Sequence, residues 1–448
     1  MPNRPRLSVI GTGYLGATHA ICMAVMGFEV VGVDADPAKV ARLNAGEVPF
    51  FEPGLPELLS KALESGRLRF TGSFAEAAAF GDVHFICVGT PQRPDSHAAD
   101  LTYVDAAVTE LSRHLTRRAL VVGKSTVPVG TAARLARLIR DTAPAGDRVE
   151  LAWNPEFLRE GFAVDDTMKP DRMVFGVTSA WSEEMLRAAF EPVLAQGVPV
   201  KVTDLPTAEL VKVAANSFLA TKISYINAMA EICEATGADV SDLAEALAYD
   251  ERIGGRFLRP GLGFGGGCLP KDIRAFMHRA EELGVGQAVG FLREIDGING
   301  RRRARTVDLV VELCGGEVSG KKVAALGAAF KPNSDDIRDA PGLDVAATLA
   351  RMGAQVVVFD PAAMDNARRQ HPELGYGVNA LDAARDADVV VLLTEWTEFR
   401  EIDPDAMAAV VTHRRIVDGR HALNPSRWRA AGWEYRALGR PSSVPARA

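Results

Sequence analysis

The 448-residue chain is 47% hydrophobic and 24% charged, enough apolar material for two or three domains with cores of their own. Its formal charge of -7, with acids and bases interspersed, leaves no basic footprint for nucleic acid. No apolar run reaches the about 18 residues of a membrane helix, and five scattered cysteines without C-x-x-C spacing suit neither a disulfide framework nor a zinc site, so no metal is expected.

Residues 1–6 are polar and unlike a secretory leader, and the expected compartment is a reducing cytoplasm. Residues 7–10 read as a buried strand running into Gly11-Thr12-Gly13-Tyr14-Leu15-Gly16, then a helix over 17–26 and a strand over 29–33 ending at Asp34. In that context the G-x-G-x-x-G turn is a dinucleotide site. Gly11 makes the tight turn, Gly13 lets a pyrophosphate reach backbone N–H groups, and Gly16 permits close helix–strand packing. Asp34 would accept from ribose hydroxyls and repel a 2′-phosphate, which favours NAD over NADP. Lys39 either reaches the same ribose or is a solvated helix lysine. Residues 44–59, rich in Pro and Gly, form a rigid connection. A strand over 82–88, holding His84 and Cys87 as core residues, ends at Gly89-Thr90, which puts Thr90 at the cofactor crevice.

The next strand, 119–122, ends in Gly123-Lys124-Ser125-Thr126-Val127-Pro128. Its hydroxyls suit a substrate hydroxyl or a water, or else cap a helix near Thr131. Asn154-Pro155-Glu156-Phe157-Leu158-Arg159-Glu160-Gly161 carries two glutamates that share a face if the segment is helical; one could be a base, and both could be a solvated acidic face. Near 204–206 the pattern changes to long helices. The first, 208–233, places Lys212 and Asn216 one turn apart on an apolar stripe, where each needs a partner. Then comes Gly263-Phe264-Gly265-Gly266-Gly267-Cys268-Leu269-Pro270-Lys271-Asp272. The glycines strip side chains from around the thiol, Lys271 supplies a cation that would favour thiolate, and Asp272 could orient that lysine or relay a proton. The bland alternative is an inert cysteine in a glycine-rich loop. A second long helix covers 285–313, with Arg301-Arg302-Arg303 as a solvated face. Residues from 321 onward echo the first third without a G-x-G-x-x-G, so a second doubly wound sheet is expected to bind something other than a dinucleotide. Lys331 and Arg338 lie at a strand end there, phosphate-facing or solvated.

The motifs around Thr126, Glu156 and Cys268, together with Phe330-Lys331-Pro332-Asn333-Ser334-Asp335-Asp336-Ile337-Arg338, resemble the UDP-glucose/GDP-mannose dehydrogenase family, in order from residue 7 to about residue 396. Met168-Lys169-Pro170-Asp171-Arg172 and Glu251-Arg252-Ile253-Gly254 resemble its members that oxidise UDP-glucose. The resemblance implies oxidation of a sugar C6 hydroxyl to a carboxylate with two NAD, Cys268 adding to the aldehyde and carrying a thioester that water cleaves. By motif it implies Thr126 and Glu156 holding that water with Glu156 as base. Lys212 and Asn216 would stabilise the oxyanion, and Asp272 would pair with Lys212 or a water in the first deprotonation. Cofactor contacts are implied at Gly11, Gly13, Tyr14, Leu15, Gly16, Asp34, Lys39, Thr90, Thr126, Glu160, Lys271 and Arg338. Nucleotide-sugar contacts are implied at Glu156, Phe157, Leu158, Arg159, Glu160, Lys212, Asn216, Gly265 and Lys331, and along Phe257-Leu258-Arg259-Pro260-Gly261. Arg252 matches an arginine that reaches a neighbouring subunit's site, which makes a homodimer the minimum assembly.

The expected architecture is α/β. Two Rossmann-like doubly wound parallel-sheet domains, 1–204 for NAD and 317–438 for the nucleotide sugar, are joined by a central helical domain, 205–316, with a long helix and the cysteine loop. Residues 439–448 are expected to be a disordered tail. Two departures from the family pattern are Gly267, where many relatives have Ser, and Pro332 in the nucleotide loop; the second leaves UDP-N-acetylmannosamine, GDP-mannose and dTDP-glucose open as substrates. A two-electron hydroxyacid-type dehydrogenase, which has no use for Cys268, and a non-catalytic binding protein are the competing classes.

Overall fold

The computed structural model describes residues 4–441. They form two compact units: the chain up to Ala215 with Arg274–Gly286, and Asn216–Ile273 with the chain from Gln287 on.

The first unit is built on strands β1 (Leu7–Ile10), β2 (Val30–Val33), β3 (Leu68–Thr71), β4 (Val83–Ile86), β5 (Ala119–Gly123), β6 (Val149–Trp153), β7 (Met173–Gly176) and β8 (Val200–Thr203). They lie in the order 3-2-1-4-5-6-7-8, parallel throughout except where β6 and β7 meet at Trp153 and Gly176. Every residue of β1, β2, β4 and β5 is buried, as expected of parallel strands covered by helices on both faces. Strand alternation sorts the side chains into two cores: Leu7 and Val9 pack with Ile21, Phe28 and Phe85, while Ile10 packs with Val33, Val104 and Ile139. The chain leaves β1 toward β2 on one side and returns to β4 on the other. The carboxyl ends of β1 and β4 therefore flank the switch point where such sheets take their ligands.

The second unit repeats the plan. Strands β9 (Lys322–Leu326), β10 (Gln355–Phe359), β11 (Gly375–Tyr376), β12 (Val389–Leu392), β13 (Arg415–Asp418) and β14 (Glu434–Ala437) form an all-parallel sheet in the order 11-10-9-12-13-14. That is the order of the first six strands of the other sheet. Between the sheets in sequence run a 32-residue helix, Leu205–Thr236, and a 23-residue helix, Phe291–Leu313. The expected class, two doubly wound sheets with a long central helix, is the one found. Strands β3, β7, β8, β11, β13 and β14 are additional to those the sequence pattern announces.

Three expectations need correction. The second long helix begins at Phe291 rather than 285, after a short turn over Gly286–Val289. Residues 154–161 hold no helix, so Glu156 and Glu160 do not share a helical face. Arg302 is not solvated: it is only 3% exposed. Its helix buries Leu292, Ile295, Asn299, Arg302, Thr306 and Leu309, a spacing of three and four that places this arginine on the inner face. Two glutamates from the 32-residue helix meet it there, Glu231 at 3.2 Å and Glu234 at 3.3 Å. Gly439 donates to Glu234 at 2.9 Å and Arg440 pairs with Asp239 at 3.2 Å; the expected tail beyond, 442–448, lies outside the described residues.

Arg302→Ala removes a buried guanidinium from the helix's inner face, leaving Glu231 with Arg301 and Glu234 with Arg305, and should cost about 2 kcal/mol. Arg301→Ala, at an exposed pair, should cost at most about 0.5 kcal/mol. Urea midpoints measured side by side check this, and equal midpoints would contradict the burial of Arg302.

Candidate active site

In the first unit, Gly11 adopts φ +88°, and a Cβ there would come within 2.7 Å of Val88. A Cβ on Gly16 would fall on the Gly11 carbonyl oxygen, so the helix Tyr14–Val25 can pack this close only without a side chain at that position. Gly13, the N-cap, has nothing within 4 Å of the missing Cβ; the helix N-terminus is open to an anion. Asp34 stands at the end of β2, accepting from the Thr12 N–H at 2.9 Å, the Thr12 hydroxyl at 3.0 Å and Lys39 Nζ at 2.9 Å. Burial alone would raise its carboxyl, but Lys39 and the Asp36 and Thr12 N–H groups outweigh it and hold it below the usual range. Lys39 is thus neither free nor simply solvated. An open helix N-terminus beside an anionic carboxylate fits a dinucleotide without a 2′-phosphate.

Tyr14 turns its hydroxyl onto Glu52, which also accepts from Gly161 N–H at 2.6 Å and Ala163 N–H at 2.7 Å. Burial and the Glu52 carboxylate push the Tyr14 phenol far up. The dinucleotide turn is thereby tied to the loop carrying Glu156 and Glu160. The loop after β4 meets the loop after β5, where Thr90 donates to the Thr126 carbonyl at 2.8 Å. Buried Lys124 follows β5 and pairs with Glu156 at 2.9 Å, while the other oxygen of Glu156 accepts from the Phe157 and Leu158 N–H groups. Lys212, from the 32-residue helix, lies 5.5 Å over the Phe157 ring, and Arg172 covers the same ring at 3.8 Å. Arg159 is committed to Asp166. The helix Thr131–Thr142 has no hydroxyl cap. Its first N–H groups go instead to buried Glu209, which accepts from Gly130 at 2.8 Å and Ala132 at 2.6 Å.

In the second unit, Cys268 precedes the helix Leu269–Glu282 and its carbonyl accepts from Asp272 N–H at 2.9 Å, so the thiol stands at a helix start, a position that favours thiolate. It is the exposed cysteine. Cys22 and Cys87 are pushed up to about 12, and Cys233 and Cys314 are raised too, in each case chiefly by burial. Asp272, 2% exposed, accepts from Asn216 Nδ2 at 2.6 Å and from Lys271 Nζ at 2.5 Å. The stripe amide has found its partner, and Lys271 serves the carboxylate.

The glycines before Cys268 have a reason the sequence did not disclose. A Cβ on Gly265 would meet the Asp339 carbonyl, on Gly266 the Phe330 ring at 2.8 Å, and on Gly267 the Arg338 guanidinium. The 330–341 loop presses on them, and Gly266 N–H donates to the Arg338 carbonyl at 2.9 Å. Arg338 also chelates Asp336, and Lys331 lies 5.5 Å over the Phe330 ring. Phe257 holds φ +63° at the start of the expected sugar loop, in which Leu258, Pro260 and Gly261 are buried and Arg259 is exposed. Arg252, its side chain 89% exposed, pairs with Asp250.

Residue types alone do not announce the struts of this loop. Asn227 accepts from Gly261 N–H, Asn299 bonds both backbone groups of Phe264, and half-buried Arg420 donates to the Gly263, Leu393 and Phe330 carbonyls. The Asp418-Gly419-Arg420 run at a strand end was the available signal for Arg420.

Fold and site together define a dinucleotide-linked dehydrogenase with an accessible cysteine at a helix start. The chain belongs to the UDP-glucose/GDP-mannose dehydrogenase family: its NAD binding domain matches residues 5–194, its central domain 206–301 and its UDP binding domain 324–425. It is 40% identical over 97% of its length to the whole of a UDP-glucose 6-dehydrogenase of Rhizobium meliloti (strain 1021). It is 41% identical, over 97% of this chain and 98% of the relative, to one from Pseudomonas aeruginosa. Among solved structures, a UDP-glucose dehydrogenase from the archaeon Pyrobaculum islandicum is 38% identical and superimposes with a TM-score of 0.90, covering 98% of this chain and 99% of that one.

Asp34→Asn removes the anion facing the ribose and should raise KM for NAD about tenfold while relaxing rejection of NADP. The ratio of kcat/KM for the two cofactors is the readout; an unchanged ratio would count against the role of Asp34.

Proposed function

We propose that this chain oxidises the C6 hydroxyl of UDP-glucose to a carboxylate, consuming two NAD and one water. The observation that carries this reading is the exposed Cys268 at a helix start, with Asp272 one turn on, in a chain about 40% identical to UDP-glucose 6-dehydrogenases. A two-electron dehydrogenase has no task for such a thiol. In this reading 1–204 holds NAD, 205–316 carries the nucleophile and the dimer contact, and 317–438 holds the nucleotide sugar.

When bound, NAD would supply the hydride acceptor for each of the two oxidations. The protein's own residues do the rest. Gly11, Gly13 and Gly16 clear the backbone for the pyrophosphate; Asp34 and Lys39 hold the ribose; Thr90, Thr126, Glu160, Lys271 and Arg338 complete the cofactor's surroundings. In the first oxidation Asp272, with Lys212 or a water, takes the hydroxyl proton as the C–H bond breaks. The Cys268 thiolate then bonds to the aldehyde carbon, and Lys212 and the second N–H of Asn216 stabilise the oxyanion. Loss of the second hydride leaves a Cys268 thioester. Water held by Thr126 and Glu156 gives a proton to Glu156 and its oxygen to C6, and the C–S bond breaks. The sugar nucleotide is held by 257–261, Gly265, Lys331 and the loop 156–160.

A homodimer is part of the proposal. Phe218, Tyr225 and Ile232, seven residues apart on the 32-residue helix, are 67%, 49% and 54% exposed, an apolar stripe of the kind a partner helix covers. Arg252, which the family pattern assigns to a neighbouring subunit's site, is exposed as that role requires. A nucleophile that must stay a thiol supports a reducing cytoplasm as the compartment. Among the described residues no helix is long and apolar enough to cross a membrane, and no cluster of His, Cys, Asp and Glu could hold a metal.

Offered UDP-glucose, GDP-mannose, UDP-N-acetylmannosamine and dTDP-glucose separately, the protein should release two NADH per UDP-glucose, and Cys268→Ser should abolish that. Two NADH with another sugar would move the specificity; one NADH per sugar would remove the cysteine from the reaction. Phe218→Asp with Tyr225→Asp should halve the mass seen by light scattering, and a wild-type mass already that of one chain would dispose of the dimer.

A further inference from the structure

We infer that Lys124 is a positioning residue for thioester hydrolysis, fixing Glu156 for proton transfer from water; this rests on the reaction proposed above. Lys124 is 3% exposed, immediately after β5. Burying an ammonium costs several kcal/mol unless its donors are used, and here they are. Nζ donates to Asn154 Oδ1 at 2.9 Å, and lies 2.9 Å from Glu156 Oε2 and 5.6 Å over the Phe190 ring. Asn154 is itself held, donating to the Val174 carbonyl at 3.0 Å. The ammonium is therefore built into the ends of the sheet, and Glu156 is referenced to it.

Glu156 has no freedom left. Oε1 accepts from Phe157 N–H at 2.8 Å and Leu158 N–H at 3.0 Å, and Oε2 faces Lys124. The backbone bonds alone would leave the carboxylate hinged at one oxygen; the second contact locks its plane. A base that must meet a water in one orientation gains from such a lock. In the hydrolysis, water oxygen bonds to the acyl carbon, one water proton passes to Glu156, and the C–S bond breaks with its electron pair going to Cys268. The new acid's proton then passes to the Cys268 sulfur or to solvent, and Glu156 returns its own to solvent. Lys124 neither gains nor loses a proton and touches no reacting atom. Its effect should fall on this step alone.

The test is a single-turnover and steady-state comparison of the full-length protein with Lys124→Met and Lys124→Arg, given UDP-glucose and NAD. Lys124→Met should release NADH in a burst and then stall, with intact-mass spectrometry showing an acyl adduct on Cys268. Its kcat should fall about 100-fold, with KM for both substrates within about threefold of wild type. Lys124→Arg, which keeps a donor and a charge, should recover at least about a tenth of the activity. Lys124→Met turning over at the wild-type rate, or losing activity without an adduct, would overturn the inference. If Lys124→Met does not fold, Lys124→Gln is read the same way; loss of the fold in both makes the lysine structural and overturns the inference too. Glu156→Gln separates the two claims. No adduct there sinks the reaction reading itself, whereas an adduct in Glu156→Gln but not in Lys124→Met sinks only the role of the lysine.

Discussion

Asp272 is nearly inaccessible to water, so its carboxylate has to be satisfied by protein donors, and that requirement organises the second unit. Asn216 from the 32-residue helix and Lys271 from its own helix supply the donors. Because the Asp272 N–H also closes the first helical turn onto the Cys268 carbonyl, the bond to Asn216 sets where the thiol stands relative to the long helix. An apolar residue at 216 would leave a buried charge facing one lysine and release the nucleophile's helix. This also changes how Lys271 is understood: its ammonium neutralises Asp272, and the helix start acts on the sulfur more directly.

The loop before the nucleophile is held by a different device. It has no sheet partner, and beside the Leu262 and Gly266 N–H bonds to the Gly419 and Arg338 carbonyls its backbone is bonded by side chains: Asn227 to Gly261, Asn299 to Phe264, Arg303 to the Phe264 carbonyl and Arg420 to the Gly263 carbonyl. Burial, with neighbouring Arg303, lowers Arg420 from its ordinary value against the pull of Glu395 and Asp418. A loop suspended in this way is rigid without secondary structure, which suits a residue that must meet a substrate carbon in one geometry.

What could be read in advance follows from how local the cause is. The strand–turn–helix around Gly11 and the Cys268 motif are each short, local patterns and were legible, and the echo of the first third from residue 321 onward announced a second doubly wound sheet. β3 and β8 were not, because each is a four-residue edge strand and too short to show a pattern. Arg302 was misjudged because three consecutive arginines look alike in sequence, whereas on a helix they point 100° apart and the middle one here falls on the inner face. The partners of Glu156, Asp272 and Asp34 lie 32, 56 and 22 positions away in Lys124, Asn216 and Thr12, and only folding brings them together. The crowding against Gly265, Gly266 and Gly267 is likewise a property of a distant loop.

The two sheets share the order of six strands but hold the matching acid differently. Asp34 and Asp360 occupy matching places after β2 and β10, and the Gly11 and Gly327 N–H groups each bond the carbonyl ending the neighbouring strand. Asp34 keeps one oxygen with a single backbone donor, from Asp36, and faces an open helix start at Gly13. Asp360 is 1% exposed and saturated: Ala328 N–H, Ala329 N–H and the Trp396 indole on one oxygen, Ala362 N–H and Ala363 N–H on the other. The Ala328 bond matches that of Thr12 to Asp34, but the Ala329 amide, at the place of Gly13, is bonded to the protein's own carboxylate as well. A dinucleotide would have to break that extra charge-assisted bond to use the Ala329 amide, at about 1.5–3 kcal/mol. The second sheet thus fills with its own carboxylate the amide that the first leaves open at Gly13.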